Sequence, residues 1–237
     1  MLTAKGFAKA AAYWKLFAQG VACTVSLSAL TVFFGFILAL ALALCRMGKL
    51  RLLKFAATAY VEVIRATPML VQIFIIYYVV FNGVKVLPGY KLYGFIRFER
   101  FFPAVVALAL NSGAYLCEII RSGIQSIDGG QTEAARSLGL SAWKTMRFVV
   151  LPQAIKNVLP AIGNEFVTII KESAICYTIG VQEIMSAVQS VKGATYSIGE
   201  ALIIAAVLYF CLTFPTSKLI AYFERKMSVG DRRSSES

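Results

Sequence analysis

The chain has 237 residues, of which 59% are hydrophobic and only 15% are charged, so it is far more apolar than an average soluble domain. It carries a formal net charge of +12 and contains no histidine, the commonest general base and metal ligand. Its basic residues lie between apolar stretches, which indicates membrane loops and not a nucleic-acid-binding face. We therefore expect a membrane protein that binds no nucleic acid.

The N-terminal segment, residues 1–20, places lysines among aromatic side chains, which is typical of an amphipathic segment at the membrane interface. An apolar run from about Val21 to Leu44 follows, and it is long enough for a helix to cross the roughly 30 Å hydrocarbon layer. The run is also too long for the apolar core of a signal peptide. The basic cluster at residues 46–54 marks the loop after this first crossing as cytoplasmic.

The second predicted crossing runs from about residue 55 to residue 81 and contains Pro68, which has to kink the helix or be accommodated by its neighbours. Residues 82–102 are rich in glycine and proline and indicate an exposed loop. Pro103 is expected to open a third crossing that ends near Ile120, because proline is tolerated in the first turn of a helix.

The stretch from residue 121 to residue 152 is too polar to span a membrane and is expected on the cytoplasmic surface. Asp128 is followed three residues later by Gln131, as in a capping box. A short helix is therefore predicted to continue to Leu138 and to end before Gly139.

Ser141 is expected to cap a second short helix that ends or kinks at Pro152. A fourth crossing is predicted over about residues 155–170. We expect it to be interrupted near Pro160 and Gly163, because a broken polar helix suits a transport path.

A last crossing is predicted from about Ile198 to Tyr222, followed by a polar cytoplasmic tail at residues 224–237. The fold class is thus an all-α membrane protein with about five transmembrane helices in one domain, residues 21–223. An odd number of crossings places the N-terminus outside and the C-terminus inside, and more basic residues fall on the proposed inner segments. It also excludes an even internal inverted repeat, so two-fold symmetry would need a second subunit.

Several motifs in order resemble those of a known family. Glu133-Ala134-Ala135, then Gly139, then Leu151-Pro152 strongly resembles the EAA loop of type I ABC importer permeases. The sequence from Arg65 to Gln72 is similar to the second-crossing signature of the polar amino acid subfamily. The resemblance implies a type I permease arrangement in which a cytoplasmic coupling helix contacts an ATPase through Gln131, Glu133, Ala134, Ala135, Leu138 and Gly139.

The same resemblance implies the partners of the chain. The sequence has no phosphate-binding loop of the Gly-x-x-x-x-Gly-Lys-Ser/Thr type, so ATP and Mg²⁺ are expected on a pair of separate cytoplasmic ATP-binding subunits. The chain itself is expected to bind no cofactor and no metal, since its five cysteines are dispersed and mostly lie in apolar stretches. A second permease subunit, identical or different, and an extracytoplasmic amino-acid-binding protein complete an importer in a prokaryotic cytoplasmic membrane.

Polar side chains in the third and fourth crossings are candidates for contact with the substrate, because polar groups at that depth are costly unless they face a cavity or a partner. The candidates are Asn111, Ser112, Tyr115, Glu118, Asn164 and Thr168. An amino acid needs an acceptor for its ammonium group and donors for its carboxylate. The alternative is purely structural: Glu118 pairs with Arg121 or Arg65, and Asn164 bonds neighbouring helices.

Two other functions stay open at this point. An independent secondary transporter or channel would need ion-coupling residues of its own, for which Glu62, Glu118 and Glu165 are candidates. A membrane-embedded enzyme is disfavoured by the absence of histidine and of clustered carboxylates or cysteines. Dependence of transport on ATP separates the importer from the first of these.

Overall fold

The computed structural model describes the backbone of residues 2–81 and 89–235, with side chains described up to residue 227. Nearly all of this is helical. The α-helices are α1 Ala4–Ala11, α2 Trp14–Met47, α3 Arg51–Ala66, α4 Met69–Phe74, α5 Phe98–Gln125, α6 Gly129–Ser137, α7 Ala142–Thr145, α8 Leu151–Glu172, α9 Ile184–Thr195 and α10 Ile198–Ser235. Two π-helical segments, Ile75–Phe81 and Met146–Val150, and a 3-10 helix, Ser173–Ile179, extend α4, α7 and α8. Strands β1 Lys91–Leu92 and β2 Ile96–Arg97 form a small antiparallel hairpin.

Three helices in the described part are long and apolar enough to cross a membrane: α2, α5 and the Ile198–Met227 part of α10. The pair formed by α3 and residues 69–81 passes the same test as one broken span with a bend of 109°. The helix α8, at the predicted fourth crossing, is long enough to span a membrane but is less apolar than the three helices named above. The all-α membrane fold is confirmed, and the number of five crossings stays a prediction.

The bend between α3 and α4 occurs at Pro68, as the sequence indicates. Pro68 has no N–H to donate, and the residue before a proline is driven into extended backbone, which Thr67 adopts with φ −109° and ψ 144°. The side chain of Gln72 replaces the missing donors: its Nε2 lies 2.7 Å from the Ile64 carbonyl and 3.1 Å from the Thr67 carbonyl. The predicted kink is therefore a sharp, hydrogen-bonded corner.

Several helix boundaries differ from those that the sequence predicts. The first long helix begins at Trp14 and so includes residues 14–20, while the interfacial position of residues 1–20 stays a prediction. The third begins at Phe98, and Pro103 lies in its second turn. The predicted break near Pro160 and Gly163 is absent, because α8 continues through both residues and a single missing backbone donor does not end a packed helix.

The loop between the second and third crossings contains the β1–β2 hairpin, which the sequence did not predict, and its residues 82–88 lie outside the described part of the chain. At the other end, the polar tail expected from residue 224 continues α10 as helix to Ser235. A π-helical segment leads from α7 into Pro152 in the first turn of α8.

The longest packed interface joins α2 and α5, which run in the same direction. An added Cβ at Gly35 of α2 would lie 3.3 Å from the Ala109 carbonyl oxygen, and one at Gly113 of α5 would lie 2.7 Å from Leu38. Further along, Arg46 of α2 contacts Glu118 of α5. Glycines let the two helices approach closely, so the interface holds the candidate substrate residues of α5 in fixed positions.

Candidate functional site

The structure forms the predicted coupling helix as α6, residues Gly129–Ser137. The Asp128 side chain caps its start by accepting a hydrogen bond from the Gly130 N–H at 2.8 Å. The reciprocal bond of a capping box is absent, because the Gln131 side chain makes no hydrogen bond within the described residues. The helix therefore starts with a single cap.

The end of α6 is a Schellman motif built around Gly139. The Gly139 N–H bonds the Arg136 carbonyl at 3.0 Å, and the Leu140 N–H bonds the Ala135 carbonyl at 3.2 Å. Gly139 has φ +85°, a backbone conformation that is energetically unfavourable for any residue that carries a side chain. The predicted end of the helix before Gly139 is confirmed, and glycine is the residue that this turn needs.

The candidate coupling residues of α6 point away from the rest of this chain. Of the residues expected to contact an ATPase, Ala135 alone is buried, and it anchors the helix. Glu133 and Ala134 are exposed, and Leu138 is 84% exposed. A short helix fixed at both ends and presenting a carboxylate, a small side chain and an exposed leucine is suited to insertion into a partner's groove.

Exposed aromatic side chains continue this surface beyond α6. Trp143 is 63% exposed and Phe148 is 62% exposed. The Arg147 guanidinium lies 4.9 Å from the Trp143 ring centroid and 5.6 Å from that of Phe148, so it orders both rings by cation–π contact. The sequence did not single out these residues, although the spacing of an arginine between two aromatic residues was visible.

In the predicted substrate path, Asn111 is buried and forms a link between helices. Its Nδ2 donates to Gln72 Oε1 at 3.0 Å, so it ties α5 to the corner at Pro68. Ser112 is fully buried, its hydroxyl makes no regular hydrogen bond within the described residues, and the Glu165 carboxylate of α8 is near enough to interact with it. The structure thus brings polar groups of α4, α5 and α8 to one level of the bundle. Sequence reasoning missed Gln72 as a site residue because its partner is distant along the chain.

Glu118 lies among three arginines of its own chain. Its carboxylate is 2.8 Å from Arg46 Nη1 and 3.9 Å from Arg65 Nη1, and it is paired closely with Arg121. Tyr115, one turn earlier, lies under the Arg65 guanidinium at 5.4 Å. The structural alternative for Glu118 thus has direct support, and Arg46 is a partner that the sequence did not indicate.

Asn164 and Thr168 lie one turn apart on α8. Asn164 is exposed on α8, and its carbonyl accepts a hydrogen bond from the Thr168 hydroxyl at 3.1 Å, a bond within the helix. No hydrogen bond joins either side chain to Asn111 or Ser112 in the described part of the chain. The face of α8 that carries Asn164 is exposed in this single chain, so a second subunit could contact it.

The described residues contain no group of three or more histidine, cysteine, aspartate or glutamate side chains that could hold a metal ion. The cysteines in the same part of the chain are all free.

Comparison with known proteins agrees with this geometry. Residues 31–229 match the family described as "Binding-protein-dependent transport system inner membrane component". The chain is similar to the arginine transport system permease protein ArtQ of Bacillus subtilis, with 39% identity covering 90% of this chain and 93% of that protein. It is also similar to the nopaline transport system permease protein NocM of Agrobacterium fabrum, with 41% identity covering 86% of this chain and 84% of that protein.

A solved crystal structure of an amino acid ABC transporter with histidines has the same fold. Its TM-score is 0.86 at 42% identity, and the match covers 95% of this chain and 100% of that one. The family match extends over most of the chain, including the α6 loop with its EAA motif and the α2–α5 interface. The chain therefore belongs to the inner membrane permease components of binding-protein-dependent transport systems.

Proposed function

We propose that this permease translocates polar amino acids that an extracytoplasmic binding protein delivers. The proposal is supported by the relatives, whose names assign them to arginine and nopaline transport, and by the fold shared with an amino acid ABC transporter. The Arg65–Gln72 motif, which resembles the polar amino acid subfamily, forms the corner at Pro68 and supplies Gln72 to Asn111. The relatives give no support to an independent secondary transporter or channel.

The observation that carries the proposed mechanism is the exposed, doubly capped α6. Its Schellman turn at Gly139 fixes the helix end, and α6 packs on α7 and on the π-helical segment Met146–Val150 that leads into α8, so a force applied to Glu133 or Leu138 would pass to α8 by that route. A pair of cytoplasmic ATPases that bind ATP and Mg²⁺ is the proposed partner of this surface. ATP hydrolysis is coupled to transport if α6 makes different contacts with the two states of the ATPase pair.

This partner defines the proposed orientation. With α6 in the cytoplasm, the hairpin at the opposite end of α5 is extracytoplasmic, as are the N-terminus and the interfacial segment within residues 1–20. Residues 21–223 then form the transmembrane domain, and the tail from residue 224 is cytoplasmic. More basic residues at the α6 end of the bundle support this orientation.

The proposed substrate path lies between α5 and α8. Asn111 and Ser112 would line its middle, with Asn164 and Thr168 on the open face of α8, where a second permease subunit would complete the path. Tyr115 and Glu118 lie toward the α6 end, beside Arg65. Alternating access then follows if the two subunits rock about this level.

The experiment reconstitutes the chain with the neighbouring gene products for the ATPase and the binding protein, and follows uptake of labelled arginine and glutamine into vesicles. The variants Glu133→Ala and Gly139→Ala should separate ATP hydrolysis from uptake while membrane insertion stays normal. Gly193→Ala is the matched control, since no atom lies within 4 Å of the added Cβ. Uptake without ATP, or full uptake by a chain that carries both Glu133→Ala and Gly139→Ala, would overturn the proposal.

A further inference from the structure

Arg100, in the first turn of α5, is a partly exposed cation that has no carboxylate partner in the described part of the chain. Its one hydrogen bond there runs from Nη1 to the Gly180 carbonyl at 3.4 Å, which is longer than the roughly 2.7–3.2 Å usual for such a bond. The ion pairs among the described residues all use Glu118, near the other end of α5. The adjacent Glu99 points elsewhere, since neighbouring positions of a helix do not face each other. Most of the N–H donors of the Arg100 guanidinium thus have no acceptor among the described residues.

Arg100 lies on the face of α5 that carries candidate substrate residues. At 3.6 residues per turn, Asn111 follows it by about three turns and Glu118 by about five turns, so the three side chains form one stripe along the helix. The rise of 1.5 Å per residue places Arg100 about 16 Å from Asn111 along the helix axis, toward the end opposite α6. The proposed path at Asn111 therefore has a cation at its outer end.

A glycine makes room for the guanidinium across from α5. Gly180 directly follows the 3-10 helix Ser173–Ile179 that extends α8, and it has φ +81°. A Cβ added at Gly180 would lie 2.9 Å from Arg100 Cζ and closer still to Nη1. The guanidinium is therefore held between α5 and the extension of α8, the two helices that border the proposed path further in.

The chemistry of this position favours a carboxylate. A guanidinium that is partly removed from water without a counter-ion has an unfavourable desolvation energy, which a bound anion offsets. Its planar fork of donors matches a carboxylate with two parallel hydrogen bonds. Every amino acid cargo has an α-carboxylate whatever its side chain, so a contact at Arg100 would recognise the part that all of them share.

We infer that Arg100 binds the α-carboxylate of the amino acid at the outer mouth of the path, before the cargo reaches Asn111. The inference rests on the proposed function and extends it by one binding residue. It assigns to Gly180 the role of leaving space for the guanidinium, so that its donors stay directed into the gap between α5 and the extension of α8.

The test compares an amino acid with its amide on the permease–ATPase complex in nanodiscs, without the binding protein. Tritiated arginine is displaced by unlabelled arginine or by argininamide, in which a neutral carboxamide replaces the carboxylate. The parent complex should bind arginine about tenfold more tightly than argininamide, as expected for a hydrogen bond between charged groups. Glutamine and glutamine amide form a second pair for a neutral cargo.

Variants assign the difference to Arg100. Arg100→Gln should weaken arginine binding about tenfold and leave argininamide binding unchanged, so that acid and amide bind equally. Arg100→Lys keeps the charge but loses the fork of donors, and should restore part of the difference. A purely structural role of Arg100 would instead weaken the acid and the amide alike. The matched control Arg97→Gln removes an exposed cation from strand β2, three residues earlier, and should keep the full difference.

Lipid phosphate is another anion that could reach Arg100, and the lipid composition separates the two. Nanodiscs of phosphatidylcholine, with and without phosphatidylglycerol, should give the same ratio of affinities, whereas loss of the ratio on addition of phosphatidylglycerol would assign the guanidinium to a headgroup. Equal affinities of acid and amide in the parent, no saturable binding of either pair, or an equal loss of both in Arg100→Gln would overturn the inference. ATP-dependent uptake tests the proposed function separately, because uptake can persist when this carboxylate contact is absent.

Discussion

The Asn111 amide donates a hydrogen bond to the Gln72 side chain at 3.0 Å, and through it the middle of α5 is joined to the corner at Pro68. Gln72 in turn donates to the Thr67 hydroxyl at 2.8 Å and to two backbone carbonyls. The corner therefore depends on one buried side chain that bonds both flanks of the bend. Asn111 has two potential roles, as a support of that corner and as a substrate ligand, and substitutions can separate them.

The first prediction concerns this pair. Gln72→Ala should destabilise the chain more than Asn111→Ala, because it removes the contacts of one side chain with Ile64, Thr67 and Asn111, whereas Asn111→Ala removes one hydrogen bond, worth about 0.5–1.5 kcal/mol. The double variant should cost less than the sum of the single variants by about 1 kcal/mol. Denaturant unfolding in detergent measures these differences. Strict additivity would show that the hydrogen bond between them contributes nothing.

The same variants test the proposed role of Asn111 in the substrate path. If Asn111 contacts cargo, Asn111→Ala should raise the KM of uptake in the reconstituted importer, whereas Gln72→Ala should act mainly on the amount of folded protein. A KM of the Asn111→Ala variant equal to that of the unsubstituted chain would assign Asn111 to structure alone.

The second prediction concerns Glu118, the single carboxylate among three arginines. Glu118→Gln keeps the shape of the side chain but leaves Arg46, Arg65 and Arg121 uncompensated, so we expect a loss of about 2 kcal/mol, less than for a fully buried pair. Arg46→Gln should cost more than Arg65→Gln, since the Arg46 side chain is 13% exposed and that of Arg65 is 42% exposed.

Salt and a second substitution provide the check on this assignment. Unfolding measured at high ionic strength should show a smaller cost of Glu118→Gln, because salt screens the repulsion among the exposed parts of the arginines. Adding Arg65→Gln to Glu118→Gln should recover part of the loss. If the double variant is no more stable than Glu118→Gln alone, charge balance is not what Glu118 provides.

Local sequence signals predicted the parts of this fold that depend on neighbouring residues. The corner follows from Pro68, and the end of α6 follows from Gly139, because each residue restricts its own backbone. The contacts of the candidate site could not be predicted in the same way. Asn111 and Gln72 are 39 residues apart, and Arg46 and Glu118 are 72 residues apart, so only the packing of α2, α4 and α5 brings them together.

Pro160 shows the opposite error. Its local signal predicted a break, but α8 continues because contacts with α5 and α10 hold the helix through the site of the missing donor. The alternative reading of Glu118 was visible at the sequence level because Arg121 is one turn away on the same helix. Its pairing with Arg46 was not visible, since no periodicity relates the two helices.

The third prediction concerns the close contact of Gly123 with α8. A Cβ added at Gly123 would lie 2.2 Å from Val158 Cγ2, and a branched side chain on a packed helix has little freedom to move. Gly123→Ala should therefore destabilise the chain by about 1–3 kcal/mol. Adding Val158→Ala should restore part of that loss by making room.

The control for the glycine test is Gly193→Ala in α9, where nothing lies within 4 Å of the added Cβ. Alanine there should be neutral or should stabilise the helix by up to about 1 kcal/mol. Thermal unfolding followed by fluorescence of a C-terminal fusion compares the four proteins. Equal stability of Gly123→Ala and Gly193→Ala would contradict the close packing of α5 on α8.

The last prediction separates the coupling surface from the stability of the permease. Leu138 is 84% exposed, so Leu138→Ser should leave unfolding unchanged within about 0.5 kcal/mol. In a partner's groove the same side chain would bury its apolar area, and truncation should weaken binding of the ATPase subunits by about 1–2 kcal/mol, or roughly tenfold. Leu52→Ser on α3, at a site 78% exposed, is the matched control and should keep full binding. Pull-down of the ATPase by the tagged permease measures the difference, and equal binding by the two variants would mean that α6 does not use Leu138 to hold its partner.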